Sequence, residues 1–159
     1  MNTLKHPARN FTAGLLAVVC WAAFCGCIYD SPITARPTRK VDEKFLGNWT
    51  SQDGKVKMMV ARYDASNYVV LYDGELYHAW HSDVAGTPFL NVQLLDSTEP
   101  ANAYKFTYST WTLADDGTLH GRGVNDQIIP DATKGSASVQ KLLKQNGSSA
   151  KFVPSLMQT

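Results

Sequence analysis

Only three cysteines occur in the 159-residue chain, and all of them, Cys20, Cys25 and Cys27, fall within its first 27 residues. The remainder has no thiol from which to build a disulfide framework, a redox pair or a zinc knuckle, and Cys25-Gly26-Cys27 lacks the Cys-x-x-Cys spacing. Charge of one sign is missing too. Fifteen Lys and Arg stand against 14 Asp and Glu, net +1, with no basic cluster of the kind that holds nucleic acid. No Gly-x-Ser-x-Gly elbow surrounds Ser82, Ser97 or Ser109, and no helix start follows Gly121-Arg122-Gly123 to hold a phosphate. The carboxylates Asp73, Glu75, Asp83, Asp115, Asp116 and Asp126 sit mostly in turn contexts, where Asp is explained by bonding to backbone. His78 and His81 are three apart on a strand pattern and would point to opposite faces. The chain therefore does not read as an enzyme, and neither a metal nor another cofactor is expected.

What is present first is an apolar run. Lys5, His6 and Arg9 form a basic head, Phe11 to Ile28 carries no charge, and small residues follow Phe24, the layout of a secretory signal peptide. A run of this length is also close to the ~20 residues that span a bilayer, so an uncut anchor is the competing reading. The end of the run, Phe24-Cys25-Gly26-Cys27, resembles the lipobox of bacterial lipoproteins, with a small Gly26 before the cysteine, although Phe24 and Cys25 depart from the usual aliphatic and small residues. That resemblance implies lipidation of Cys27 and removal of residues 1–26. It makes the membrane a partner through that lipid, and Ile28, where an Asp would be the retention signal, implies passage to the outer membrane with the domain facing the periplasm. Loss of Lys5 and Arg9 with the leader would carry the formal charge just below zero.

The exported part divides by composition. Residues 27–44, with Pro32, Pro37, Arg36, Arg39, Lys40, Asp42 and Glu43, read as the lipidated cysteine and a solvated, flexible tether. At ~3.3 Å per residue such a tether could reach roughly 55 Å. Residues 45–147 read as a β domain with a terminal helix, and 148–159 as an irregular tail. Within the domain, Asp53-Gly54, Asp73-Gly74 and Asp116-Gly117 are tight-turn dipeptides. They separate strand-length runs at 46–51, 55–63, 68–72, 76–82, 88–95, 104–113 and 119–124, rich in Val, Tyr, Phe, Thr and Trp. The unbroken apolar run at 68–72 suggests a strand covered on both faces. Val139, Leu142 and Leu143 then fall on one helical stripe after the N-cap candidates Ser136 and Ser138, and Asn146-Gly147 closes it.

Sequential hairpins with one late helix predict a mainly β fold, an antiparallel meander forming a small barrel or half-barrel with one C-terminal amphipathic helix. Gly47-Asn48-Trp49 resembles the opening of the lipocalins, in which the Trp plugs one end of the barrel and a late Arg stacks over it. The resemblance implies a structural pair of Trp49 and Arg122. The stretch from Thr34 to Gln145 is similar to a group of small uncharacterised bacterial lipoproteins, and that similarity carries no activity. The aromatic supply points to binding. Tyr104, Phe106 and Tyr108 share one strand face, and with Trp80 they are the candidates to line a pocket for a small apolar or amphipathic ligand. The alternative is a filled core, with the protein serving the envelope as a structural or protein-interaction lipoprotein.

Overall fold

The computed structural model describes residues 28–95, 105–125, 127–146 and 153–158. Cys27, Tyr104 and Asp126 lie outside the described residues. The expected mainly β fold is present. Seven strands occupy the predicted runs: β1 (Gly47–Ser51), β2 (Lys57–Arg62), β3 (Asn67–Tyr72), β4 (Glu75–Val84), β5 (Thr87–Leu94), β6 (Phe106–Leu113) and β7 (Leu119–Gly123). A helix, α1 (Ser136–Asn146), follows. The tail corrects the expectation of irregular chain, because Val153–Gln158 forms β8. It pairs with both β7 and β1 and closes an antiparallel barrel in strict sequence order. The helix is consequently not terminal.

Turn chemistry explains the meander. Asp73 and Gly74 both take positive φ, 48° and 88°, the geometry whose twist suits a two-residue hairpin. Ala85 and Gly86 adopt the same conformation between β4 and β5, at 50° and 85°, and Ala85 has no side-chain reason to be there. The Asp73-Gly74 hairpin sets Tyr72 opposite Glu75 and Val70 opposite Tyr77, and the two-residue pleat carries that parity around the sheet. Trp49, Met58, Val60, Tyr68, Val70, Ala79, Leu90, Val92, Trp111 and Leu119 thereby form the barrel's interior core. β3 alternates rather than being covered on both faces, and Leu71 is exposed.

A second core lies outside the barrel. Trp80, Val84, Phe89, Phe106 and Tyr108 face outward from β4, β5 and β6, where they meet Tyr29, Ile33, Val124, Ile128, Ile129, Val139 and Leu143. Tyr29 and Ile33 are almost fully buried. Residues 28–44 are therefore no solvated tether; they strap the barrel. The physical reason is polar as well as apolar. Asn91 and Ser82 point outward among those aromatics, and the strap satisfies them: the Ile33 N–H donates to Asn91 Oδ1 at 2.6 Å, and Thr34 Oγ1 bonds Ser82 Oγ. The Thr38 N–H donates to the His81 carbonyl at 2.9 Å, and Arg39 clasps the Asp83 carboxylate. Helix α1 lies over the strap, with Gln140 Nε2 donating to the Ile33 carbonyl at 2.8 Å. Ser136 does not cap it; its hydroxyl donates to the Pro32 carbonyl, and Gly135 stands at the N-cap, its carbonyl accepting the first intrahelical bonds from the Ser138 and Val139 N–H groups.

Candidate functional site

The strap decides which end of the barrel is closed. It enters at Tyr29, paired to the first residue of β6, crosses the outer faces of β5 and β4, and folds over the opposite end as a 3-10 turn, Glu43–Phe45. There Phe45 is wedged against Trp111, edge to face at 5.5 Å, and its carbonyl accepts from Trp49 Nε1 at 3.0 Å. The Arg62 guanidinium pairs with Glu43 across the same turn. Trp49 is only 2 % exposed and belongs to the interior core beneath this turn. The Arg122 half of the expectation fails. Arg122 is exposed, and it alternates with the inward positions Gly121 and Gly123 on β7, so it occupies the face opposite to Trp49. What meets the plug instead is Phe45, from the local chain, whose carbonyl takes the Trp49 indole N–H while its ring lies against Trp111.

Beneath the plug sit two buried polar groups. The Asp42 N–H donates to the Tyr68 hydroxyl at 2.7 Å, which leaves that hydroxyl's own proton for His81 Nε2 at 3.1 Å. An imidazole accepting at Nε2 there is neutral. Burial holds the His81 pKa below its ordinary value, and the nearby Arg39 charge acts in the same direction. His78, three residues earlier, points outward to Asn67 at 3.0 Å, so the two imidazoles do not converge. Groups of three or more His, Cys, Asp or Glu placed to hold a metal do not occur among the described residues. Nor do the carboxylates converge among the described residues. The Ser51 hydroxyl and then the Lys55 N–H lower the Asp53 pKa, backbone N–H groups of their own turns lower Asp64 and Asp116, and the Arg39 guanidinium holds Asp83 low.

The aromatic ligand candidates come together, but elsewhere than expected. Trp80 and Phe106 meet edge to face at 5.9 Å, and Tyr108 stacks on Tyr29 at 4.5 Å. Their parity puts them on the outside of the barrel, beneath the strap and helix, where the Tyr108 hydroxyl donates to the Ser31 carbonyl. They are the second core and do not line the interior. The tyrosine stripe misled because a barrel covered on its outside has aromatics on both faces of the same strands.

The interior at the end away from the plug has a different lining. Tyr72 and Tyr77 are half-buried there, and burial raises both phenol pKa values; the Tyr77 hydroxyl donates to the Glu75 carboxylate. The inward register positions of β6 and β7 toward that end are Thr107, Ser109 and Gly123, all small, while Gly121 stands opposite Trp111 of the plug. Ser109 Oγ is buried and has no hydrogen-bond partner among the described residues. Large rings on one wall, small residues on the other and an unpaired hydroxyl between them are the ingredients of a ligand site. The sequence did carry a signal for it, because the register fixed by Asp73-Gly74 propagates to every later strand. No family model, curated protein or solved structure matches the chain.

Proposed function

We propose that this is a lipid-anchored protein of the bacterial cell envelope, held through Cys27 in the outer membrane and facing the periplasm, whose barrel binds a small apolar or amphipathic molecule at its unplugged end. The observation that carries the binding reading is the interior asymmetry: Phe45, Trp49 and Trp111 fill one end, while Thr107, Ser109 and Gly123 give the other only small side chains opposite Tyr72 and Tyr77. An acyl or ring portion fits against the tyrosines, and Ser109 Oγ offers a hydrogen bond to a polar head.

The test is titration of the mature chain carrying Cys27→Ser with a fluorescent fatty acid. Saturable one-to-one binding is expected, displaced by unlabelled fatty acid and weakened at least about tenfold, or ~1.4 kcal/mol, by Gly123→Leu, which sets a side chain opposite Ser109. The variant's thermal transition serves as the folding control. Binding that never saturates, or that Gly123→Leu leaves unchanged, sinks the ligand reading in favour of the filled-core envelope protein.

A further inference from the structure

We infer that the rim of the unplugged end lies on the lipid bilayer, so that the barrel opens toward the membrane; this rests on the proposed lipid on Cys27. The first observation is the path of the chain. Tyr29 exchanges two backbone hydrogen bonds with Phe106, at 2.8 and 2.9 Å, and is 1 % exposed. Phe106 begins β6 opposite Gln93, the penultimate residue of β5, which is the unplugged end. Asp30 is pinned next to it by Lys105. Cys27 is two peptide steps from this fixed point, with Ile28 alone between, a reach of only about 7 Å. Lipid on Cys27 therefore holds this rim at the membrane surface, with none of the slack of a flexible tether.

The second observation is what the rim presents. Met59 on β2 lies directly opposite Leu71 on β3, which lies opposite Leu76 on β4. Leu95 continues the row, its N–H donating to the Leu76 carbonyl at 2.8 Å. All four are on the outer face and exposed, by 40, 37, 38 and 52 %, and Ile28 at the strap's entry is 48 % exposed. Leu71 and Leu76 flank the Asp73-Gly74 turn at two residues' remove, so the row runs close beneath the rim. Scattered apolar residues on a surface need no explanation, but an unbroken row across three neighbouring strands and the residue that follows β5 does. Beside it, a groove of about 620 Å³ is lined by Lys55, Lys57, Met59, Leu71 and Asp73. Lys55 is paired with Asp53 at 3.5 Å, which leaves Lys57 to face headgroups beside leucine and methionine at the acyl boundary, a surface chemistry suited to resting on lipid. The ligand class narrows accordingly to molecules that partition into the bilayer.

The experiment uses the full acylated protein reconstituted into phosphatidylethanolamine–phosphatidylglycerol vesicles containing spin-labelled lipid. Leader removal takes away Cys20 and Cys25, and acylation blocks Cys27, so Leu76→Cys, Leu95→Cys or Tyr63→Cys introduces a single reactive thiol for a bimane label. Tyr63, at the plugged end and 69 % exposed, is the control. Emission at positions 76 and 95 is expected to fall by about half, with position 63 unaffected. Equal quenching at both ends, bright probes at the rim, or a disulfide-linked Leu76→Cys dimer showing that a second copy covers the row would each overturn the docking. Intact mass on the same sample separates the failures. An acylated chain with bright rim probes refutes the docking alone, whereas a chain without acyl mass refutes the anchor and the docking with it.

Discussion

Asn91→Ala removes the polar peg on which the strap hangs. In the native protein Asn91 is fully buried among outward-facing aromatics, accepts from the Ile33 N–H at 2.6 Å and donates through Nδ2 to Ser82 Oγ at 2.6 Å. Ser82 keeps a partner after the substitution, in Thr34 Oγ1, but the Ile33 N–H, at a residue with no exposure, keeps none. An unsatisfied buried donor costs about 1 to 3 kcal/mol, and the lost Nδ2 bond adds about 1. The total is ~2 to 4 kcal/mol before any collapse of the small void, or roughly 6 to 15 °C in melting temperature for a domain of this size. Denaturant unfolding followed by tryptophan emission measures it, with exposed Asn48→Ala as the control that should change stability by less than ~0.5 kcal/mol. A cycle with Thr34→Ala reports whether the peg and strap act together. If Asn91→Ala costs less than ~1 kcal/mol, residues 28–44 are not held as described and the second core is weaker than its burial implies.

Trp49→Ala should cost ~3 to 5 kcal/mol by urea unfolding, since it empties the plugged end and strands the Phe45 carbonyl. Arg122→Ala should stay within ~0.5 kcal/mol; a larger loss would restore the lipocalin-style stack that the barrel parity denies. Ala85→Gly relieves a left-handed alanine at an exposed hairpin corner and should raise stability by about 0.5 to 1 kcal/mol, read as a shift in urea midpoint at constant slope. His81 is buried neutral, so the unfolded chain binds its proton first: stability should be level above the ordinary value of 6.5 and fall as pH drops below it. Asp83, held low by Arg39, adds its loss only at more acid pH, below 3.8. His78, also depressed by burial, shares the upper window, so the measurement is the difference between wild type and His81→Gln; identical profiles between pH 4 and 6.5 would refute the assignment.

Seven strands and the helix were legible because their signals are local. Asp-Gly dipeptides fix hairpins from two residues, and the stripe of Val139, Leu142 and Leu143 needs only its own turns to be recognised; Val139 and Leu143 are buried and Leu142 packs against them. β8 was not legible for the complementary reason. A closing strand is selected by the two edges it joins, and Val153–Gln158 has Pro154 and Ser155 where a self-sufficient strand would carry β-branched residues. The strap escaped for a similar reason. Its prolines and charges look solvated, and nothing in Ile28 to Lys44 reveals that Asn91 and Ser82, some fifty residues onward, need partners.

The misplacement of the candidate site follows from the same blindness. Period-two alternation says which residues share a face but never which face is inside, and here both faces of β4 to β6 are buried. Tyr108 and Trp80 win on aromatic content and lose on parity. The information that breaks the tie is a residue whose side is known independently, and the chain contains one. Trp49 plugs the barrel, Met58 stands opposite it on β2, and Met58 stands opposite Tyr72 on β3. Tyr72 pairs with Glu75 across the hairpin, and from Glu75 the inward series runs Tyr77, Ala79, His81 on β4, with Leu94, Val92, Leu90 on β5 and Thr107, Ser109, Trp111 on β6. Read in that order, the small residues and the lone Ser109 hydroxyl fall on the interior wall, and the outward aromatics are left requiring a cover. That cover is the strap, which in turn ties the proposed lipid at Cys27 to the unplugged end of the barrel.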